Sequence, residues 1–442
     1  MSAEIKTFAA AVGFLDDMQM HKIKLGLDAI RTTLAGLGSP ERACPAVHVA
    51  GTNGKGSVCS MLQSVMSAAG YRTGLYTSPH LSSIRERFRI DDAFIREDEF
   101  VAMMERVRSG LNGRTITYFE CATAVAFTWF AERECDLVVI ETGMGGRLDA
   151  TNVLEPLLTV ITTISRDHEQ YLGDTIAAVA YEKAGIIKPR IPLISGVADD
   201  EAREVIEKRC SAMQAELIQA GVDFKVTETA AGRWCWQDRY PDTVMVENLH
   251  LPAGGGWQAA NAACAVAAAV SLRAQRFIVS DEAIRTGLAN SNWPGRMELL
   301  EIAETREHSS VVHRFLLDGA HNRAGIDYLM TALENQYSYR RLFLVWASMA
   351  DKSYEEMLSQ VARMADYVLL TRPDRERSAG CEELAAVLAA TPGTVCFSCH
   401  ERVEDTLVAV REKARAEDLI VVAGSLYLVG AFRKLLVGEV VV

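Results

Sequence analysis

The string Gly51-Thr52-Asn53-Gly54-Lys55-Gly56-Ser57 constrains this chain more than any other feature. It follows a short apolar run, residues 46–50, and opens a helical pattern over residues 57–69. In that pattern Val58, Met61, Leu62, Val65, Met66 and Ala69 recur on one face. Strand, glycine-rich turn and helix, in that order, make a phosphate loop. Glycines let backbone N–H groups turn inward, and the helix N-terminus adds the positive end of a dipole. Lys55 then stands where it can neutralise β- and γ-phosphate oxygens, and Ser57 where its hydroxyl can reach Mg²⁺. The string departs from the usual phosphate loop because Gly56 separates Lys55 from the hydroxyl residue and the loop is shorter.

The rest of the chain alternates short β-rich runs with longer helical patterns, the signature of βαβ units and parallel sheets. Strands are expected over residues 46–50, 72–76, 136–140, 157–164 and 192–195. A smaller mixed segment follows over about 205–250, then an Ala-rich helix over 259–272. A second series has strands at 314–317, 341–346, 366–370, 394–397 and 419–423. The turn-rich Asn292-Trp293-Pro294-Gly295 is the expected boundary. The fold class is therefore α/β. A P-loop-type parallel-sheet ATPase domain spans residues 1–292, and a smaller Rossmann-like α/β domain spans 293–442. Ligands in such folds sit at the carboxyl ends of the strands.

Charge narrows the partners. Lys plus Arg is 46 and Asp plus Glu is 58, so the net charge is 46 − 58 = −12. Nucleic acid and anionic membrane surfaces are not expected partners, although a small anion needs only local dipoles and a few cations. There is no apolar run of roughly 18 residues and no basic start leading into an apolar core, so a cytoplasmic location is expected. The ten cysteines are scattered and read as reduced, buried apolar residues. Cys396-Phe397-Ser398-Cys399-His400 matches a haem-attachment string, but that chemistry needs an exported chain.

Further strings carry chemistry at strand ends. One apolar strand ends in Glu141, where a carboxylate can hold nucleotide-bound Mg²⁺. The following Gly143-Met144-Gly145-Gly146-Arg147-Leu148-Asp149 nearly reads as a dinucleotide fingerprint, but Leu148 stands where its third glycine belongs. Another strand leads to Asp167-His168-Glu169. Lys183, read alone, is a solvated helix residue before a Gly stop. In the second domain Asp318-Gly319-Ala320-His321-Asn322 ends a strand, with Asp318 able to accept from a ribose, and Arg296 lies at the boundary turn.

Taken together, these strings resemble the folylpolyglutamate synthase/dihydrofolate synthase family of the Mur ligase superfamily. The resemblance runs from about Leu25 to Gly430. Its marks are the loop at 51–57, Thr77-Ser78-Pro79-His80-Leu81, residues 141–152, Asp167-His168, Glu182-Lys183-Ala184-Gly185, Pro294-Gly295-Arg296, residues 318–322 and residues 424–430. The extra Gly56 is this family's own form.

The resemblance implies an ATP-dependent amide ligase that adds L-glutamate to dihydropteroate, or to the γ-carboxylate of reduced folates, through an acyl phosphate. It implies that Gly51, Thr52, Asn53, Gly54, Lys55, Gly56 and Ser57 hold ATP, with Asn261, Arg296 and Asp318 on the nucleotide and His321 beside them. Ser57, Ser78, Glu141, His168 and a carbamylated Lys183 would hold two Mg²⁺ ions. Lys55, Lys183, His168 and His321 would be catalytic. Thr117, Tyr118, Phe119, Glu120, Arg147 and Asp149 would form the pterin-side pocket. The chain departs from the family at Trp257, which stands where a His is usual before Gln258, and in the Gly254-Gly255-Gly256 run. Other readings are a Mur-type UDP-muramyl ligase, a folylpolyglutamate synthase without dihydrofolate synthase activity, an ATP-binding regulatory protein and a nicotinamide oxidoreductase. A monomer is the expected state.

Overall fold

The computed structural model describes all residues except 1–3, 19–25, 231, 240–243, 252–254, 307–308, 351, 375, 392, 394 and 439–442. Leu25, Gly254 and Thr394, which figure in the expectations above, lie outside the described residues. The chain divides into two compact units at Asn292 and Trp293. Leu81–Ser83 and a short stretch ending at Trp257 group with the second unit.

The first unit is built on an eight-stranded sheet. Its strands are β1 (Ala46–Ala50), β2 (Thr73–Tyr76), β3 (Phe88–Ile90), β4 (Ala93–Phe94), β5 (Leu137–Glu141), β6 (Leu158–Ile161), β7 (Leu193–Ser195) and β8 (Leu217–Gln219). Their order is β4-β3-β2-β5-β1-β6-β7-β8. The six from β2 to β8 along that row are parallel, and β3 and β4 are antiparallel at one edge. All five residues of β1 and of β5 are buried, as expected of strands covered on both faces. On one face Tyr76, Phe88, Phe100, Phe127 and Phe130 pack in a core with the helices Glu97–Leu111 and Tyr118–Glu132. On the other, Ile161, Val179, Ile186, Leu193 and Ile206 pack beneath Ile176–Ala184 and Asp200–Met213. A three-stranded antiparallel sheet follows, β9 (Phe224–Ala230), β10 (Arg233–Asp238) and β11 (Met245–Leu249).

The second unit carries a six-stranded sheet of β12 (Glu298–Arg306), β13 (Ser309–Leu317), β14 (Leu342–Trp346), β15 (Tyr367–Leu370), β16 (Cys396–Cys399) and β17 (Leu419–Ala423). The order is β12-β13-β17-β14-β15-β16, parallel except for the β12–β13 hairpin. Apolar clusters cover both faces. No helix among the described residues is long and apolar enough to cross a membrane.

Several boundaries differ from expectation. The strand expected over 157–164 stops at Ile161, because Thr162 and Thr163 turn their hydroxyls onto the carbonyl of Asn53. The strand expected to end in Glu141 does so, with β5 starting one residue later than expected, at Leu137. The strands β3, β4, β8 and β12 were not expected. They are short or at sheet edges, where the apolar signal is thin.

The helix after the phosphate loop runs Lys55–Ala68 and is buried beyond its apolar stripe, taking in Cys59, Ser60 and Gln63. The helix Asp281–Asn290 covers this second side, with Ser64 Oγ donating to the Gly287 carbonyl at 2.7 Å. A Cβ at Gly287 would meet the backbone of Val65. Gly287→Ala should therefore destabilise the chain by about 1–3 kcal/mol, against the gain of roughly 1 kcal/mol that Ala brings to a helix interior. Urea unfolding measures this, and a more stable variant would contradict the packing.

Candidate active site

The strand order puts β1 between β5 and β6, so the loops after all three emerge side by side at their carboxyl ends. This is the switch point where parallel sheets open a crevice. Gly51 begins the first loop with φ 153°, and a Cβ there would collide with the Thr162 side chain. Gly54 has φ 84° and caps the helix without a side-chain hydrogen bond. Its missing Cβ leaves room for the buried amide of Asn261, which donates to Gln258 Oε1 at 3.0 Å.

The β1 loop is laced to the β6 loop. Thr52 N donates to Thr163 O at 2.7 Å and Asn53 N to Thr163 Oγ1 at 3.1 Å. Thr52 Oγ1 exchanges hydrogen bonds with Ser165, 3.0 Å to its carbonyl and 3.0 Å from its N–H. The first turn of the following helix keeps its N–H groups for a ligand, and an uncapped 14-residue helix is a fit place for an anion.

Two ammonium groups meet on one carbonyl. Lys55 Nζ donates to Gly51 O at 3.0 Å and to Thr52 O at 3.1 Å, and Lys183 Nζ donates to Gly51 O at 2.7 Å. Lys183 is only 4% exposed, so it is not the solvated residue its sequence context suggests. Burial, reinforced by the Lys55 charge, pulls its amine down to about 7. Its helix is fixed by the β5 loop. Arg147 pairs with Glu182 at 2.8 Å, Arg147 N donates to Glu182 O at 2.7 Å, and Asn152 Nδ2 reaches both Arg147 O and Gly185 O.

Glu141 is 4% exposed at the end of β5, and its Oε2 accepts from Ser78 N at 3.0 Å. Ser57 is buried and His168 half-buried, the latter in the left-handed region at φ 52°. Two buried hydroxyls on the β5 and β6 loops, Thr142 Oγ1 and Ser165 Oγ, have no protein partner. No group of three or more His, Cys, Asp or Glu suited to a metal occurs among the described residues. The donor set present fits Mg²⁺ only with hydroxyls, phosphate oxygens and water completing it, which is the usual way this ion binds.

The residues expected at the pterin side sit on the loop after β5 and at the start of the helix that meets it at Gly143. Thr117 and Glu120 form a capping box, with Glu120 Oε2 accepting from Thr117 N at 2.8 Å. Phe119 lies against Gly143 with its ring centroid 6.0 Å from that of Tyr76. Asp149 is 6% exposed and accepts from Met144 N at 2.9 Å and Thr151 N at 3.0 Å. In the second unit Asp318 accepts from Met297 N at 2.9 Å and Ala320 N at 2.8 Å. Burial raises its carboxyl, with Arg296 opposing. His321 Nδ1 lies 2.8 Å from Gly319 O. Cys396 and Cys399 are exposed on the edge strand β16, and His400 Nε2 lies 2.9 Å from Ser398 Oγ. Sequence reasoning missed the Thr162, Thr163 and Ser165 lacing, which no charge or spacing signals.

Comparison with known proteins matches residues 49–269 to the Mur ligase middle domain and residues 295–426 to the Mur ligase glutamate ligase domain. A dihydrofolate synthase/folylpolyglutamate synthase of Bacillus subtilis is 35% identical over 424 residues, 93% of this chain and 95% of that one. Among solved structures, E. coli FolC in complex with DHPP and ADP superposes with TM-score 0.87 at 30% identity, covering 98% of this chain and 99% of that chain. A bifunctional folylpolyglutamate synthase/dihydrofolate synthase with Mn, AMPPNP and L-glutamate bound has TM-score 0.85 at 28% identity, covering 98% and 99%. Fold and site thus define a ligase assembled from the two Mur ligase domains. Within that class, the chain belongs to the folylpolyglutamate synthase/dihydrofolate synthase family.

Behind the site, His48 is fully buried in β1, with Nε2 2.8 Å from Thr151 Oγ1. The Thr151 hydroxyl proton goes to Asp149, so His48 Nε2 donates and Nδ1 is left bare. Burial, with Lys188 adding to it, pulls the imidazole down to about 3 from 6.5. The unfolded chain therefore binds the extra proton first. Stability is full above about pH 6.5 and falls as pH drops toward 3. His48→Gln should lose stability less steeply over that window in urea titrations, and equal slopes would assign the acid sensitivity elsewhere.

Proposed function

We infer that the chain joins L-glutamate to dihydropteroate, and to the γ-carboxylate of reduced folates, with ATP becoming ADP and phosphate. The observation that carries this reading is the pair Lys55 and Lys183 on the Gly51 carbonyl, beside the phosphate loop and Glu141. A carboxylate is a poor acyl donor because its oxide leaves badly. Attack of a carboxylate oxygen on the γ-phosphorus forms a C–O–P link and breaks the bond to the β–γ bridging oxygen, releasing ADP. The glutamate amine then adds to the acyl carbon, loses a proton, and expels phosphate.

Lys55 and the N–H groups of residues 54–57 bind the phosphates and offset their charge. Ser57, Ser78, Glu141 and His168 are the residues that would hold Mg²⁺. Bound there, Mg²⁺ supplies charge neutralisation at the transferring phosphoryl group. Lys183, with its amine held near neutrality, is the candidate for carbamylation: its lone pair attacks the carbon of CO₂ and a proton leaves. A carbamate turns a cation that repels a metal into an oxygen pair that attracts one. Tyr118 and Phe119 provide flat faces for a pterin, and Asn261, Arg296 and Asp318 are proposed to contact the nucleotide, with His321 beside them. A monomer remains the proposed state.

Phosphate release from ATP tests the reading. It should require L-glutamate together with dihydropteroate or tetrahydrofolate. Release with one acceptor alone would limit the chain to a single activity, and release driven only by UDP-muramyl precursors would overturn the folate reading. Lys183→Ala should lower ligation on the order of 100-fold, with partial rescue by short carboxylic acids. Wild-type rates in the variant would remove the carbamate.

A further inference from the structure

Arg87 is a buried cation without a counter-charge. It is 8% exposed, at the end of the single turn Ile84–Arg87 that leads into β3. Its Nε donates to His80 Nδ1 at 3.0 Å, and its guanidinium carbon lies 5.2 Å from the Tyr118 ring centroid. Among the described residues no carboxylate oxygen comes within 4.0 Å of it, and Nη1 and Nη2 have no protein acceptor. Arg89, partly buried, gives its guanidinium to Ser60 Oγ and Gln63 Oε1, and Arg433 is paired with Glu298 at 3.0 Å, so each of these has protein acceptors on its terminal nitrogens or a carboxylate beside it. An unpaired buried guanidinium is costly. A neutral imidazole and an aromatic face orient this one but do not neutralise it.

Its position says which anion would. The Arg87 carbonyl accepts from Thr77 N at 3.2 Å, and the next residue, Ser78, donates through its N–H to Glu141. On the other side stands Tyr118, followed by Phe119 against Gly143. The Arg87 backbone is thus tied to the Thr77-Ser78 turn that meets Glu141, while its guanidinium faces the aromatic wall. A substrate whose flat ring rests on that wall and whose acid is to be phosphorylated must present its carboxylate between the wall and the phosphate loop.

We propose that Arg87 binds the carboxylate of the pteroyl acceptor, the group that becomes the acyl phosphate, through Nη1 and Nη2. A fork of two parallel donors matches a carboxylate and remains matched to two oxygens of the acyl phosphate. No proton moves, because the guanidinium stays charged throughout. The proposal rests on the folate-ligase reading above. In sequence, Arg87 sits in the charged run Arg85-Glu86-Arg87, which looks like a solvated face.

The test is equilibrium binding of dihydropteroate and of its neutral carboxamide to the full chain, with a non-hydrolysable ATP analogue present. Wild type should bind the carboxylate at least about tenfold tighter than the carboxamide. Arg87→Ala and Arg87→Gln should erase that difference by weakening only the carboxylate, and Arg87→Lys should keep part of it. KM values for ATP and L-glutamate should stay within about twofold in the lysine variant. Equal losses for both ligands, no loss for either, or a loss confined to ATP or L-glutamate would overturn the assignment. If Arg87→Ala fails to fold, the lysine and glutamine variants decide the question with the same ligand pair. Wild type that binds neither ligand would instead sink the folate-ligase reading itself.

Discussion

The carbonyl oxygen of Gly51 accepts from both Lys55 and Lys183, and the geometry of the site hangs on that convergence. A carbonyl can take two donors, but two ammonium ions on one acceptor repel each other in a buried setting. The arrangement persists because neither lysine is free to leave. Lys55 opens a helix whose start is set by the lacing of the β1 and β6 loops. Lys183 is carried on a helix clamped to the β5 loop through Arg147, Glu182 and Asn152. Three adjacent loops thus hold two cations together, and the softer amine, Lys183, gives up part of its charge.

The same convergence explains how an acidic protein serves anionic substrates. A net charge of −12 describes a surface screened over roughly 8 Å at physiological salt. The crevice is governed by what lies within hydrogen-bond reach. There the chain places an ammonium, a second amine near neutrality, and an uncapped helix N-terminus, with one carboxylate, Glu141, already accepting from Ser78. Local dipoles decide the chemistry, and the global charge decides only which large partners stay away.

The parallel strands and the phosphate loop were legible because strand, glycine turn and amphipathic helix write themselves in hydrophobic period and spacing. The loop, Glu141 and the strand before it needed no structure. Lys183 was not legible as a buried amine: between Glu182 and Ala184 it reads as a surface residue, and only the packing of its helix against the β1 loop buries it. Arg87 was hidden for the same reason, inside a charged run. The antiparallel β9–β11 sheet read only as a mixed segment, because its strands alternate exposed and buried residues weakly. Sequence patterns report which face an element buries. They do not report which polar side chains a distant loop will cover.

The two acids nearest the aromatic wall complete the picture. Glu120 and Asp149 would ordinarily repel a carboxylate substrate. Here Glu120 Oε2 is taken by Thr117 N and Oγ1, and Asp149 holds Met144 N and Thr151 N. Each is a structural acceptor that shapes a loop or a helix start, with its charge turned toward backbone dipoles. Burial also raises the Asp149 carboxyl, weakening its negative field further. In the proposed pterin-side pocket these two acids, with their oxygens engaged locally, contribute shape more than charge, although they look the most acidic in sequence.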